Sequence, residues 1–435
     1  MLIRSELRKG WCPGALSPML AKDGFLLRLR ISGGIVGAAT MRAIANASRS
    51  CGNRLIDLSA RGNLQLRGVS QPTLAALTER LSELGLIDED PAAEAIRNVM
   101  VSPLAGLGAA IDVGPIGKAL EAALVAAVDL HRLPGKFGFL IDDGGALSLE
   151  DEPADIRFAY RKAHDDFAIS IGGVSSDAVS LGFCAPNRVV AAAIDLARAF
   201  LAIGAALPEP PRRMMDLISQ CGSAIIAESA GLTLTPARQQ GRIEAPSPVG
   251  LISFDDSFCF GAGAPFGRLT ADMLDAAAQA AEAYAAAEIR LTPWRSLLLP
   301  HVDASANDAL RRHFTAANFI VAPDDARLRL AACGGAPACE RATTQTREDA
   351  LALAAIARRF NGAGIALHVS GCQKGCARPR PTPVTLVGRG GLYDLIINGT
   401  PCDPSAAQNL TLTAARDMLE TMTHGVDENA KSKCI

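Results

Sequence analysis

GFLLRLRISGGIVGAATMRAI (residues 24–44) lies without a gap over SFCFGAGAPFGRLTADMLDAA (257–277), 233 residues further along the chain. Downstream, RLIDLSARGNLQLRGV (54–69) falls near EIRLTPWRSLLLPHV (288–302), and AIRNVMVSPLAG (95–106) falls over LRLAACGGAPAC (328–339). Few residues are identical, but each copy reads as strand, glycine-rich turn, helix, two strands and a larger α/β segment. The fold class expected is therefore α+β, built as a tandem duplication about a pseudo-twofold axis.

Within the first copy, Leu27, Leu29 and Ile31 alternate with Arg28 and Arg30, the period of a strand with one apolar and one polar face. A helix is expected over 35–50. Residues 61–67 alternate again, Leu64 and Leu66 opposing Arg61, Asn63, Gln65 and Arg67. The pattern divides the chain into two small sheet halves, 1–75 and 248–310, each followed by an α/β domain, 76–204 and 311–435. Pro208, Pro210, Pro211, Pro236 and Pro246 mark 205–247 as the connection, with a helix interrupting it near 212–230. The last residues, DENAKSKCI, are expected to fray.

The 435 residues carry a formal charge of −2 and a pI near 6.3, with signs mixed along the chain. No broad basic face is expected, which excludes nucleic acid as a partner. No run reaches the length of a membrane span, and MLIRSELRKGWCPG has no apolar signal core, so a cytoplasmic protein without a membrane partner is expected. Eleven cysteines in such a chain point to reduced thiols and metal ligation rather than a disulfide framework.

Four of them form a pattern. ACGGAPACERA places Cys333 and Cys339 at C-x5-C, and HVSGCQKGCARP adds Cys372 and Cys376 at C-x3-C. Thiolate is soft and suits iron, and four such ligands satisfy a 4Fe-4S cluster. Gly334, Gly335, Gly371 and Gly375 allow close backbone approach to the inorganic sulfurs. A structural zinc site and four unconnected thiols are the alternatives; zinc knuckles favour shorter spacings than C-x5-C. Cys12, Cys51, Cys184, Cys221, Cys259 and Cys402 read as ordinary thiols.

Taken together, these residues resemble the sulfite and nitrite reductase family. RLRISGG, SARGNLQLR, RNVMVSPLAG and LPGKFG match that family's arginine strand, T-x-R-Q strand, R-N-V segment and L-P-R-K-F-K loop, and the resemblance spans nearly the whole chain. It implies two ferredoxin-like half-domains forming one sheet domain, flanked by two α/β domains, the second carrying the cluster. WCPGALSPMLAKDGFLLRLR and RLTPWRSLLL are most similar to the precorrin-3B synthases within the family. Where the sulfite reductases place two lysines for their small anion, this chain has Lys136 but Gly138, and Gly135 stands in place of Arg.

The precorrin-3B synthase resemblance implies oxygen-dependent hydroxylation of precorrin-3A at its C20 meso carbon with closure of a γ-lactone. The implied partners are precorrin-3A, dioxygen and an electron-donor protein such as a ferredoxin or reductase, with NADH as the ultimate donor. The implied cofactors are the 4Fe-4S cluster and a mononuclear non-haem iron whose ligands no motif identifies; catalytic residues stay unassigned. A precorrin presents many carboxylates around an apolar ring, and arginine suits planar recognition of carboxylate. Arg28, Arg30, Arg61, Asn63, Gln65 and Arg67, joined by Arg97 and Lys136, are the expected substrate cradle, although any one arginine could simply be exposed. The second copy replaces Arg28, Arg30, Arg61 and Arg67 with Gly261, Gly263, Trp294 and Pro300, while Met100 and Gly106 fall over Cys333 and Cys339. Cradle and cluster are therefore expected to face each other across the pseudo-twofold axis. Two other readings stand beside this one: a sirohaem sulfite or nitrite reductase, with Cys376 also bridging the haem iron, and a non-catalytic tetrapyrrole-binding electron-transfer protein.

Overall fold

A computed structural model describes residues 12–108, 111–232, 247–360, 362 and 364–431, with side chains of the last helix through residue 422. Pro236 and Pro246 of the expected connection, Cys434 in the tail and residues 1–11 lie outside the described residues.

The duplication is visible strand by strand. In the first central sheet the order is Met19–Ala21, Gly24–Leu29, Leu64–Val69, Leu55–Leu58 and Arg268–Thr270. In the second it is Gly250–Phe254, Ser257–Gly263, Ser296–Leu299, Glu288–Leu291 and Ile35–Gly37. Each copy thus lends its third strand to the outer edge of the other copy's sheet. Leu269 pairs with Ile56, and Val36 pairs with Ile289. This exchange corrects the helix expected over 35–50: Ile35–Gly37 is the lent strand, and the helix runs Ala38–Cys51.

One apolar core serves both sheets. Leu27, Leu29, Leu64 and Leu66 are fully buried in it together with Leu269, Leu297 and Ile289 of the other copy. The helices Ala38–Cys51 and Ala271–Tyr284 lie side by side over that core, with buried alanines on both contact faces. Small side chains let the two backbones approach, and the rims are closed by ion pairs from Arg42 to Glu282 and from Arg49 to Asp272 and Asp275.

The two α/β domains repeat one topology. Val99–Val101, Phe139–Asp142 and Ile156–Arg161 run parallel, and Asp166–Ile171 and Val179–Cys184 continue antiparallel. Leu330–Ala332, Leu367–Ser370, Thr382–Arg389, Leu392–Gly399 and Ala407–Leu410 do the same. The segment expected as connection is in part structural: helices Met214–Cys221 and Ser223–Ser229 bury Met214, Leu217, Ile226 and Ala227 in the core of the first α/β domain. A run of prolines signalled a linker, but the apolar spacing after Arg213 gave these helices a face to bury.

Sheet register also corrects the equivalence of Met100 with Cys333. Val99 pairs with Phe139 as Leu330 pairs with Leu367, so the counterpart of Cys333 is Ser102. Two backbone bonds repeat the match: Ser102 N–H donates to Ile141 O at 3.1 Å, and Cys333 N–H to Val369 O at 3.4 Å. The ungapped comparison missed it because the copies differ in length between the helix and this strand.

Candidate functional site

The four cysteines project from loops that follow parallel strands of the second α/β domain. Cys333 follows Leu330–Ala332, and Cys372 and Cys376 follow Leu367–Ser370. Gly371 N–H donates to Cys333 Sγ at 3.2 Å, tying the two loops together. A Cβ on Gly371 would meet Ala342 Cβ at 2.6 Å and lie 3.5 Å from that sulfur, so the close approach requires glycine. Gly335 has φ +62°, and a Cβ there would press on Thr346 Oγ1 at 2.5 Å; the same hydroxyl donates to Cys333 O at 2.8 Å.

The thiols share one electrostatic neighbourhood. Burial raises the Cys376 thiol to about 11, opposed by Lys374 and reinforced by Cys333, Cys372 and Cys339. Cys372 is raised by burial and by Cys339 and Cys333. Yet among the described residues no group of three or more His, Cys, Asp or Glu converges closely enough for a single metal ion. Four thiols on the loops of one α/β domain suit a cubane, in which each sulfur binds a different iron, and the C-x5-C spacing is longer than zinc knuckles favour. The residues present fit a 4Fe-4S cluster. Cys376 is exposed at its surface although protein crowds around it, the situation of a group at the wall of a cleft.

A cleft open to solvent is lined by Arg30, Arg61, Asn63, Arg97, Glu121 and Gly138. Arg30 is almost fully buried; its NH1 donates to Glu94 at 3.2 Å, its Nε reaches Asn98 Oδ1 at 3.4 Å, and its NH2 has no partner among the described residues. An orphaned, buried guanidinium nitrogen on a cleft wall is a binding group awaiting an acceptor. Arg97 grips Asp88 through two bonds of 2.9 Å, reaches Glu121 at 3.4 Å and donates to Arg30 O at 3.0 Å, so it orients the arginine beside it. Burial raises the Glu121 carboxyl, opposed by its hydrogen bond from Ser32 and by Arg97.

The expected alternation over 61–67 is only half present. The strand begins at Leu64, and Arg61 and Asn63 belong to the turn Ser59–Asn63, where Gly62 has φ +67°. Ser59 N–H closes that turn on Asn63 O at 2.9 Å. The turn aims Arg61 outward: its NH2 donates to Lys136 O at 2.8 Å. Burial, with Arg213 adding to it, lowers the Arg61 guanidinium to about 10. Gln65 sits in the strand between Arg28 and Asp57. Arg28 has the Cys12 thiol as a neighbour, and its Nε has no partner among the described residues.

Arg67 goes elsewhere. Its guanidinium binds Asp23 at 2.7 and 2.9 Å and Asp57 at 3.2 Å, and touches Ala338 O of the cluster loop at 3.5 Å. Asp57 also receives Arg268 at 2.6 Å and Arg347 at 3.0 Å. Burial alone would raise that carboxyl, but Arg347, Arg268 and Arg67 bring it down from 3.8 to about 2. Residue type marked Arg67 for the cradle; the acids that claim it lie 10 and 44 residues away in the chain and left no local signal.

Lys136 joins the two regions. Burial lowers its ammonium, the Cys12 thiol opposes that, Arg61 and Lys374 add to it, and Cys376 is a further neighbour. Two groups missed in the sequence hold its loop. Arg213, from the supposed connection, donates to Lys136 O at 2.6 Å and pairs with Asp155 at 3.0 Å. Asp155 also accepts from Gly138 N at 2.8 Å and Met214 N at 2.8 Å. In sequence, DIRF (Asp155 to Phe158) reads as a substrate contact or simply a strand end; in the structure Asp155 anchors the loop that carries Lys136. Cys12, read as ordinary, lies among Arg28, Arg30, Arg61 and Lys136.

Known proteins resemble the chain along most of its length. The nitrite/sulfite reductase ferredoxin-like half domain matches twice, at residues 18–84 and 255–317. A precorrin-3B synthase from Sinorhizobium sp is 31% identical over 91% of this chain and 84% of its own. A ferredoxin–nitrite reductase from Synechococcus elongatus is 29% identical, over 84% of this chain and 76% of its own. The solved NirA protein of Mycobacterium tuberculosis shares the fold, with a TM-score of 0.74 over 90% of this chain and 79% of that one, at 21% identity. With this degree of identity over nearly its whole length, and the two half domains in the two copies, the chain belongs to the precorrin-3B synthase family, on the nitrite/sulfite reductase fold.

Proposed function

We propose that this protein is an oxygen-dependent precorrin-3B synthase, hydroxylating precorrin-3A at C20 with γ-lactone formation in aerobic cobalamin biosynthesis. One oxygen atom enters the product, and the other leaves as water with two electrons and two protons. The observation that carries the reading is Lys136, which shares one neighbourhood with the cleft arginine Arg61 and the cluster cysteine Cys376. A cationic cleft for a polycarboxylate thus adjoins a redox group, as the Sinorhizobium relative supports.

Cys333, Cys339, Cys372 and Cys376 hold the 4Fe-4S cluster, which when bound supplies electrons one at a time. Arg30, Arg61 and Lys136 bind substrate carboxylates, Arg97 and Glu94 orient Arg30, and Asn63 supplies a neutral amide at the same wall. Arg28 and Gln65 extend the polar face towards Cys12. Each charged hydrogen bond to substrate is worth about 1.5–3 kcal/mol. A mononuclear non-haem iron, were one held, would supply the oxygen-activating chemistry; no residue is assigned as its ligand. A ferredoxin or separate reductase passes electrons from NADH, in keeping with the ferredoxin dependence named for the Synechococcus relative. Among the described residues no helix is long and apolar enough to cross a membrane; a cytoplasmic site of action accords with reduced thiols.

Gly138 separates this reading from a sirohaem reductase. It lines the cleft with φ outside the left-handed region, and a Cβ there would meet only carbonyl oxygens at 3.8 and 3.9 Å. The backbone does not require glycine; its absent side chain leaves a small-anion clamp incomplete and the cleft wider. The test is to incubate the reduced protein with precorrin-3A under labelled dioxygen and weigh the product. Gain of one labelled oxygen is expected. Strong sirohaem bands with sulfite or nitrite turnover would replace the reading with the reductase, and substrate binding without oxygen consumption with a carrier.

A further inference from the structure

The second copy appears in sequence to have lost its cations, since Trp294 stands over Arg61. The structure returns one by a step of a single residue. Leu58 and Leu64 correspond in register to Leu291 and Leu297, so Gly62 corresponds to Arg295. Both are left-handed, Gly62 at φ +67° and Arg295 at φ +61°. Arg61 donates to a carbonyl of the first α/β domain, Lys136 O, and Arg295 to one of the second, Ala377 O at 3.2 Å.

Beside Arg295 lies a polar cluster that the proposed chemistry leaves unused. On the strand Leu367–Ser370, Leu367 and Val369 face the apolar core, which turns His368 to the opposite face. His368 has no exposed surface, and neither ring nitrogen has a hydrogen-bond partner among the described residues. Two buried imidazole nitrogens without partners are costly, and native structures seldom leave them so. The charges that act on this ring are Arg378 and Arg295, both cations. Arg378 has a buried Nε without a partner, and its charged neighbour is again a cation, Arg380. Two acids act on Arg295: Asp57, and Glu152, which burial raises to about 7 with Arg380 and Arg295 opposing that rise and Asp151 adding to it. Buried donors left without a partner among the described residues, beside a guanidinium that hydrogen-bonds the backbone next to Arg378 through Ala377 O, call for an anion.

We propose that Arg295, His368 and Arg378 form a second anion site, on the cluster side of the pseudo-twofold axis, that receives a carboxylate of the tetrapyrrole substrate. Arg295 and Arg378 supply the charge, and His368 donates one ring N–H. The proposal rests on the precorrin reading for the identity of its ligand. It pins the macrocycle from both copies, Arg30 and Arg61 on one side and these three on the other.

The test titrates anaerobic, cluster-bearing protein with uroporphyrin III, an octacarboxylate tetrapyrrole, and separately with inorganic phosphate. Wild type is compared with Arg295→Gln, Arg378→Gln and Arg378→Lys, while nitrogen NMR follows the His368 ring. Each Gln variant is expected to weaken uroporphyrin binding about tenfold or more with cluster absorbance unchanged, Arg378→Lys to recover part of it, and the His368 signal to move on binding. Unchanged uroporphyrin affinity in both Gln variants overturns the proposal. So does a site that binds phosphate in an Arg378-dependent way while uroporphyrin ignores both arginines. If wild type binds no uroporphyrin but phosphate binding depends on Arg378, the tetrapyrrole reading falls and its ligand assignment here falls with it.

Discussion

The corner around Cys333 and the corner around Ser102 are the same backbone put to different use. Gly371 N–H donates to Cys333 Sγ at 3.2 Å, and at the matching position Asp143 N–H donates to Ser102 Oγ at 2.9 Å. Where the second copy runs Ser370, Gly371, Cys372, the first runs Asp142, Asp143, Gly144, its two acids nearly fully buried. Asp142 is satisfied by Ser102, Gly144 N, Ser148 and Leu149 N. The hard Asp142 carboxylate is closed by its own loop, whereas a soft thiol corner is left with valence for iron. The duplication kept a geometry and exchanged a chemistry.

The strongest way to break the comparison is at the thiols. Cys372→Ser or Cys376→Ser should abolish the visible absorbance and reduced EPR signal of the cluster, while far-UV circular dichroism stays native; a retained cluster would remove the ligand assignment. Next comes the node that ties the copies together. Asp57→Ala leaves Arg268 and Arg347 without their buried partner, and denaturant unfolding should show a loss of about 3–5 kcal/mol. Because the folded pKa of Asp57 lies at about 2, below its usual 3.8, this carboxylate stabilises the fold above pH 4. That contribution, about 2 kcal/mol, is lost as pH falls from about 4 through 2. The acid limb of a stability profile should therefore be shallower in the variant, and coincident limbs would deny Asp57 its role.

Smaller effects sharpen the cleft. Lys136→Ala should weaken tetrapyrrole binding about tenfold with cluster absorbance intact, measured by equilibrium titration. Arg67→Gln should lower melting temperature yet leave that affinity unchanged, the reverse of Lys136→Ala. Gly138→Lys should reduce tetrapyrrole affinity several-fold by filling the open wall. Smallest of all, Ser102→Cys should cost about 1 kcal/mol through a weaker hydrogen bond and add no iron on analysis.

The duplication, the grouping of four cysteines and the alternation of Leu27 and Leu29 were legible because each is written in local spacing. Arg30, Arg61, Asn63 and Arg97 could be nominated for the cleft from residue type and resemblance. What separated Arg67 from them was not local: Asp23 and Asp57 approach it only once the strands pair. The lent strands left no signal either, since Ile35–Gly37 reads equally well as the start of the helix that follows. Arg295 was hidden by a comparison tied to residue type, because its counterpart is a glycine that shares its left-handed backbone and not its side chain. Ser102 was hidden by a shift in length between the copies. Asp155 and Arg213 hold the Lys136 loop from segments whose composition suggested a strand end and a linker.

Because Ile35–Gly37 completes one central sheet and Arg268–Thr270 the other, neither copy can leave without baring a strand edge in both. Covalent continuity is not what keeps cleft and cluster in register. Cleaved between its copies, the molecule should persist as a complex of two fragments. Either fragment alone would offer a spare strand and lack an edge partner, which is the specification of a strand-exchanged homodimer.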